Sequence, residues 1–577
     1  MSKLLEEVKD PRELRALPEE SLPSLCDELR EEIIAICGKV GGHLGASLGA
    51  VELIVALHRI FKSPHDALVF DVGHQAYAHK ILTGRRDRMP TLRQPQGIAP
   101  FLDPLENTHD VFGAGHACTA ISAALGILEA RQQRNQEGTV VAVIGDGALT
   151  GGLTFEGLNN AGASRHPLVV VLNDNEMSIS VNVGAVSKAL RGLGARMFFE
   201  SLGFAYLGPV DGHDLKELLS ALREAKRSNK PIVVHALTQK GRGFAAAEAD
   251  PKTRGHAMGP YELRDGKLVR SRGGSITFSE AFAAALEERM AVDPRVVAVT
   301  PAMLEGSALT KLKSRFPERV FDVGIAEQHA VTFSAGLAIG GLRPVCCIYS
   351  TFLQRAMDQV IHDVCLPKLP VIFAVDRAGL VGADGATHQG AYDLALLRPI
   401  PNIALMAPVA GEDLAPMLSA ALERNAPSAI RFPRGTLPVL PPDLAPGKGL
   451  IVGARWMKKA DNPELSIVAL GPLALSALSA AEGKRWNVLD ARFVAPLDHA
   501  ALREAAKNGR VLVVEEGTVH GGLGSAVLEF LAEERRAARV RCLGLPDYFV
   551  RHGEARAQRA ELGLDSDAIR FAAEALL

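Results

Sequence analysis

Two short polar stretches close two apolar runs, and together they could hold a charged cofactor. Val140 to Ile144 is apolar and mostly β-branched and ends in Gly145-Asp146-Gly147-Ala148. Leu168 to Leu172 is a second such run and ends in Asn173-Asp174-Asn175-Glu176-Met177. If both are buried parallel strands, Asp146 and Asn175 reach the same sheet edge. A carboxylate and an amide oxygen suit a hard cation such as Mg²⁺, which takes its remaining ligands from phosphates and water. Glycines beside the carboxylate let a diphosphate approach the backbone. A Gly-Asp-Gly alone also fits a plain turn. The matching Asn-Asp-Asn, with Asn175 29 positions beyond Asp146, makes the Mg²⁺–diphosphate reading the more specific one. Glu156 reads as a helix-face residue and not a ligand.

Other residues could complete such a site. His43, His74 and His116 each sit in a glycine-rich, turn-like setting, the last in Gly113-Ala114-Gly115-His116. Neutral imidazole can donate to phosphate or carbonyl oxygens and can move protons. Each could equally be a structural histidine, but three at predicted element ends favour the ligand crevice that forms at the carboxyl ends of parallel strands. Glu327 opens a helical run after Asp322-Val323-Gly324-Ile325-Ala326. It is either a charge favouring the helix dipole or, given its apolar neighbours, a partly buried carboxyl held protonated near neutral pH. Arg355, Arg377 and Arg434 offer planar forks for phosphate, or surface ion pairs. Gly382 to Gly390, which contains Asp384 and His388, is Gly-rich and polar after a strand, as a site loop would be.

The elements that must position these residues alternate. In the first 270 residues, helices are expected at Ser24–Gly38, Val51–Phe61 and Ala120–Arg131, and strands at Ala67–Asp71, the two runs above and Pro231–Leu237. That pattern predicts a largely parallel α/β sheet. Ser271-Arg272-Gly273-Gly274-Ser275 reads as a boundary, after which the pattern restarts. Helices are expected at Thr277–Met290 and Glu327–Ile339, with strands at Val296–Val299, Pro344–Tyr349 and Val371–Asp376. Leu437 to Gly449 is rich in Pro and Gly and reads as a linker. A third section repeats the alternation, with strands at Leu465–Leu470, Asn487–Phe493 and Val511–Glu515 and a helix at Gly524–Ala537. The fold class is therefore α/β, in three domains: 1–270, 271–440 and 441–577.

A chain of 577 residues exceeds one hydrophobic core. A net charge of −2 creates no strong field for nucleic acid or an anionic membrane. The seven cysteines show no metal-ligand spacing, and Cys346 and Cys347 should point to opposite faces of a strand. No run approaches the roughly 18 apolar residues of a membrane span, and the charged N-terminal residues lack a signal-peptide core. A reduced, cytoplasmic enzyme is expected.

In order along the chain stand Asp71-Val72-Gly73-His74-Gln75-Ala76-Tyr77, Gly145-Asp146-Gly147, Asn173 to Ser180, Ala326-Glu327-Gln328-His329, Tyr349 to Ala356, and Asp376-Arg377-Ala378-Gly379 through His388. With these motifs the chain closely resembles the 1-deoxy-D-xylulose-5-phosphate synthase family of transketolase-like thiamine diphosphate enzymes. The resemblance spans nearly the whole chain. It implies a transketolase-like fold with a diphosphate-binding, a pyrimidine-binding and a C-terminal domain. It also implies a homodimer, with the active site between the first two domains, and pyruvate and D-glyceraldehyde 3-phosphate as substrates. The implied role lies in isoprenoid-precursor, thiamine and pyridoxal synthesis.

The same resemblance implies that Asp146, the Asn175 side chain and the Met177 carbonyl hold Mg²⁺, and that Glu327 contacts N1′ of the aminopyrimidine. Cofactor contacts are implied for His74, Gly113, Gly115, His116, Gly145, Gly147, Ala148, Ile325 and Phe352. His43, His74, Asp384 and His388 match substrate or proton-handling positions. Tyr349, Arg377 and Arg434 match positions around the triose phosphate, and Arg355 one near the reacting centre. Two departures stand out. The long insertion usual after Asn173–Ser180 is short here, between Val183 and Phe198. The His256 segment also lacks a lysine that some members carry shortly after that histidine. Rival readings are a transketolase moving two-carbon ketol units and a non-catalytic thiamine diphosphate-binding scaffold.

Overall fold

In a computed structural model the structure describes residues 4–164, 166–192, 194–264, 267–270, 275–444 and 453–577. The expected boundary at 271–274 and the linker residues 445–449 lie outside them. The chain divides into two compact units, residues 1–273 with Gly324–Ala326, and residues 274–323 with 327–577.

The first unit is built on strands β1 (Ala67–Phe70), β2 (Val140–Gly145), β3 (Val169–Asp174), β4 (Ala205–Asp211) and β5 (Ile232–Leu237). They form one parallel sheet in the order β1-β2-β3-β5-β4. Alternate side chains of each strand feed two separate cores. Val141, Val143, Val169 and Val171 pack with Leu29, Ile33, Ile54 and Leu222. Val140, Ala142, Ile144, Val170 and Leu172 pack with Ile121, Leu128 and Leu158. Burial on both faces explains why the strands read as continuous apolar runs. β4, with a mixed burial pattern at the sheet edge, carries no such run and was not anticipated. A hairpin, β6 (Tyr261–Arg264) and β7 (Lys267–Arg270), follows.

The second unit holds two sheets. β8 (Val296–Thr300), β9 (Val320–Asp322), β10 (Arg343–Tyr349), β11 (Ile372–Asp376), β12 (Ala404–Met406) and β13 (Ser428–Arg431) are joined by β17 (Phe493–Ala495), in the order β17-β12-β13-β11-β10-β8-β9. The other sheet is β14-β16-β15-β18-β19, from Arg455–Lys458, Trp486–Asp490, Leu465–Ala469, Arg510–Thr518 and Arg539–Leu545 respectively. Pairing is parallel throughout both except at β17 and β14. Cys346 and Cys347 fall in different cores, on opposite faces of β10 as expected.

One expected strand divides. Asn487–Phe493 is not continuous: β16 ends at Asp490, and β17 begins at Phe493 in the other sheet. Arg492 lies between them at φ +54°, and its N–H donates to the Asp490 carboxylate at 3.1 Å. A left-handed residue cannot extend a strand, so the chain turns out of one sheet and into the other.

Candidate active site

Register delivers the first cluster. β2 and β3 are adjacent, with Gly145 opposite Asn173, so the residues that follow each strand emerge together. Asp146 is 1% exposed. Its Oδ1 accepts from the Asn175 N–H at 3.4 Å, and its Oδ2 accepts from Asn182 Nδ2 at 3.0 Å. The Asn175 side-chain oxygen accepts from the Met177 N–H at 3.1 Å. Burial, reinforced by the nearby Asp174, pushes the Asp146 carboxyl up to about 7. A buried carboxyl whose charge is disfavoured by burial and by Asp174 fits a site whose cation arrives with the cofactor. Among the described residues no set of three or more His, Cys, Asp or Glu side chains forms a metal cage. A Mg²⁺ held by one carboxylate, one amide and a diphosphate needs none.

Gly145 ends β2, and Gly147 and Ala148 follow it. Ile325 belongs to this unit: a Cβ built on Gly147 would lie 3.7 Å from Ile325 Cδ1 and only 2.8 Å from Ser178 Cβ. Gly113, Gly115 and His116 lie in the segment entering helix Ala120–Gln133. That helix start is held by Asp71, which follows β1 and accepts from the N–H groups of Cys118 (2.8 Å) and Ala120 (3.0 Å).

His43 and His74 meet, with ring centroids 6.1 Å apart, and a third histidine joins them. His256 stands 5.7 Å from His43 and 5.3 Å from His74. The backbones of Gly42 and Met258 exchange hydrogen bonds of 2.7 and 2.9 Å, which carries the His256 segment to the His43 turn. Gly45 allows that approach, because a Cβ there would overlap the Arg254 carbonyl oxygen. Burial pulls His74 down to about 3 and His256 well below its usual value. The imidazoles of His74 and His256 are therefore neutral.

Three residues of this unit were missed as candidates: His256, Asn182 and Lys240. Lys240 donates to the carbonyls of Ser178 (2.7 Å) and Ile179 (3.4 Å). Burial lowers its ammonium to about 7, although Asp146 favours its charge. Two of the three carried a sequence signal: the polar setting of Asn182, a few residues after Asn175, and the His256 segment, which the family resemblance aligns with a histidine near the end of the first domain.

The second unit brings together most of the remaining candidates. Glu327 opens helix Glu327–Ile339 and is 4% exposed. Burial raises its carboxyl against the opposing pull of Arg355, whose Nη1 lies 3.5 Å from Oε2. Tyr349, at the end of β10, stacks on Phe352 (5.5 Å, 11°), and Phe352 meets His388 edge-on at 5.6 Å. The Arg377 guanidinium lies 4.0 Å above the Tyr349 ring, and its Nε has no hydrogen-bond partner among the described residues. Arg377 itself has φ +61°. Arg434 Nη1 donates to Asp384 Oδ2 at 3.0 Å and to the Val381 carbonyl at 3.2 Å. Gly379 and Gly390 exchange backbone hydrogen bonds and close the loop that carries Asp384 and His388. Arginines, an acid and an imidazole around one loop can bind a phosphorylated carbonyl compound and exchange protons with it.

Comparison with known proteins agrees. The family model for 1-deoxy-D-xylulose-5-phosphate synthase matches residues 5–196 and 191–238. Models for the transketolase pyrimidine-binding and C-terminal domains match 274–439 and 454–569. A 1-deoxy-D-xylulose-5-phosphate synthase from Myxococcus xanthus (strain DK1622) is 70% identical over 578 residues, covering 100% of this chain and 99% of the relative. The chain belongs to the 1-deoxy-D-xylulose-5-phosphate synthase family. It is thus a transketolase-type transferase of a thiamine diphosphate-using family, with the α/β fold expected for it.

The 1-deoxy-D-xylulose-5-phosphate synthase of Anaeromyxobacter sp. (strain Fw109-5) is 49% identical over 631 residues, covering 100% of this chain and 99% of the relative. That alignment outruns the 577 residues here by 54, whereas the Myxococcus alignment exceeds them by one. The family's N-terminal model breaks at 191–196, within the stretch where the insertion reads as short. Among solved structures, a transketolase from Leishmania mexicana is 18% identical with a TM-score of 0.46, covering 96% of this chain and 97% of that one.

Proposed function

We propose that both clusters serve the family's thiamine diphosphate- and Mg²⁺-dependent chemistry. The activity is the family's: condensation of pyruvate with D-glyceraldehyde 3-phosphate, with loss of CO₂, to give 1-deoxy-D-xylulose 5-phosphate. That product feeds the non-mevalonate isoprenoid route. The observation that carries the site assignment is Glu327, a buried carboxyl raised above its usual range beside Arg355.

Asp146, the Asn175 side chain and the Met177 carbonyl would hold Mg²⁺. Gly113, Gly115, His116, Gly145, Gly147, Ala148 and His74 are the residues that would hold the diphosphate, and Ile325 and Phe352 those that would contact the rings. When bound, thiamine diphosphate supplies the carbon nucleophile that takes up pyruvate and allows CO₂ to leave. Glu327 holds a proton at N1′ of the aminopyrimidine, and Arg355 orients that carboxyl. His43, His74 and His388 hold and deliver protons at the substrate oxygens. His74, kept neutral by burial, presents one N–H donor and one acceptor nitrogen to those oxygens. Arg377, Arg434 and Tyr349 bind the triose phosphate, with Asp384 holding Arg434 in place.

The domains run 1–270 for the diphosphate, 271–440 for the pyrimidine and 441–577 at the C-terminus. The working form is a cytoplasmic homodimer. Among the described residues no helix is long and apolar enough to cross a membrane.

Purified protein with thiamine diphosphate and Mg²⁺ should release CO₂ from pyruvate and form the five-carbon ketose phosphate once D-glyceraldehyde 3-phosphate is added. Turnover of a ketose phosphate donor without pyruvate would instead mark a transketolase. Bound cofactor without turnover of either would mark a scaffold.

A further inference from the structure

The loop from Arg377 to Gly390 carries three proposed substrate residues, yet much of what holds it comes from the C-terminal part of the chain. Glu516, near the end of β18 and 8% exposed, accepts the Leu380 N–H at 2.8 Å through Oε1. Arg559, on helix Ala555–Glu561, grips the same carboxylate in fork geometry, Nε to Oε2 at 2.7 Å and Nη2 to Oε1 at 3.1 Å. Gly379 has φ +82°, and a Cβ there would lie 2.6 Å from Glu516 Oε1, so glycine is needed for the carboxylate to reach the loop. Further along, the Gly553 N–H donates to the Gly382 carbonyl at 3.3 Å, and Gln389 Nε2 donates to the Val550 carbonyl at 3.5 Å. A Cβ on Gly385 would come 2.9 Å from His552 Cβ. The loop is therefore gripped by Arg434 at Val381 and Asp384 and by the segment Val550–Gly553 with Glu516 and Arg559.

We propose that Glu516 and Arg559 are positioning residues for binding of the phosphorylated acceptor, which makes the C-terminal domain a specificity element of the enzyme. The inference rests on the reading of Arg377, Asp384 and Arg434 as triose-phosphate residues. A bidentate, largely buried Arg–carboxylate pair holds direction as well as distance. The Glu516 carboxylate shares its oxygens between Arg559 and the loop amide. Loss of Arg559 leaves a buried, half-paired carboxylate that will turn toward water and release Leu380. Arg377, three residues away, then samples more than one position, and phosphate affinity falls while the chemistry of the donor half-reaction does not.

The test uses the full chain with thiamine diphosphate and Mg²⁺. Arg559→Met should raise KM for D-glyceraldehyde 3-phosphate about tenfold. KM for pyruvate, cofactor affinity and KM for unphosphorylated D-glyceraldehyde should stay within about twofold. Arg559→Lys should recover part of the loss, and Glu516→Gln combined with Arg559→Met should cost no more than Arg559→Met alone, because the two act as a unit. Should Arg559→Met fail to fold, Gly379→Ala, which drives the Glu516 carboxylate off the loop, should give the same split between acceptors. Equal losses for both acceptors, or an unchanged KM in every folded variant, would overturn the proposal. A wild-type enzyme that does not use the phosphorylated acceptor would instead overturn the functional reading beneath it.

Discussion

Arg355 Nη1 stands 3.5 Å from Glu327 Oε2, and both side chains are largely buried. The two effects on Glu327 oppose each other: burial raises its carboxyl and the guanidinium lowers it. If the protonated form is the active one, the rate falls as pH rises through the Glu327 pKa. Removing Arg355 leaves burial unopposed and moves that alkaline limb upward. Arg355→Met should shift the limb of the kcat–pH profile upward, whatever its effect on the plateau. Glu327→Ala should lose at least ~100-fold in kcat with thiamine diphosphate still bound. A limb that stays put would remove Arg355 from this role, and a nearly active Glu327→Ala would end the proton assignment.

Asp146 makes a prediction with two signs. Its folded-state pKa, about 7, lies above the unfolded value near 3.8. A carboxyl raised in this way contributes its stability below the unfolded pKa, and that contribution is lost as pH rises through about 7. Without metal, Asp146→Asn should therefore be more stable than wild type above pH 7, by up to ~4 kcal/mol, and the two should converge near pH 4. With Mg²⁺ and thiamine diphosphate the order should reverse, because the variant lacks the anionic ligand. Denaturant titrations with and without cofactor, together with calorimetric binding, read both signs. Normal Mg²⁺-dependent cofactor binding by the variant would defeat the metal assignment.

The loop arginines should separate binding from chemistry. Arg377→Met and Arg434→Met should each raise KM for D-glyceraldehyde 3-phosphate by about tenfold or more. CO₂ release from pyruvate alone should change little. Asp384→Asn, which weakens the grip on Arg434, should show a smaller rise. If both arginine variants lost pyruvate turnover instead, these residues would serve the donor step.

Buried neutral histidines should shape the acid side of stability. His58 and His256 are pulled well below the ordinary value of 6.5, and His74 to about 3, each mainly by burial. For such groups stability is full above the unfolded pKa and is lost as pH falls below it, because only the unfolded chain takes up the proton. Each should cost ~1 kcal/mol between pH 7.5 and 5.5. His58→Gln, away from the proposed site, should reduce that drop by about this amount in urea titrations at the two pH values. An unchanged drop would mean that His58 is charged in the folded protein.

Much of this enzyme was legible from local pattern. The runs ending in Gly145-Asp146-Gly147 and Asn173-Asp174-Asn175 are strands β2 and β3, and their adjacency brings Asp146 to Asn175 as the spacing required. Helix Glu327–Ile339 has the expected limits, and Cys346 and Cys347 divide between two cores. These features follow from backbone periodicity and neighbouring side chains, which a sequence displays directly. Tertiary structure alone decided the rest. His256 reaches His43 through the Gly42–Met258 backbone exchange and the close approach at Gly45. Asn182 and Lys240 reach the Asp146 region through a turn and a strand end. The turn at Arg492 sends one expected strand into two sheets, and Glu516 reaches Leu380 from a strand of the other sheet. Each of these joins residues far apart in the chain or follows from a left-handed backbone step. Local hydrophobic periodicity carries no record of which distant segments pair, because pairing is set by sheet register and by where a missing Cβ lets two backbones meet.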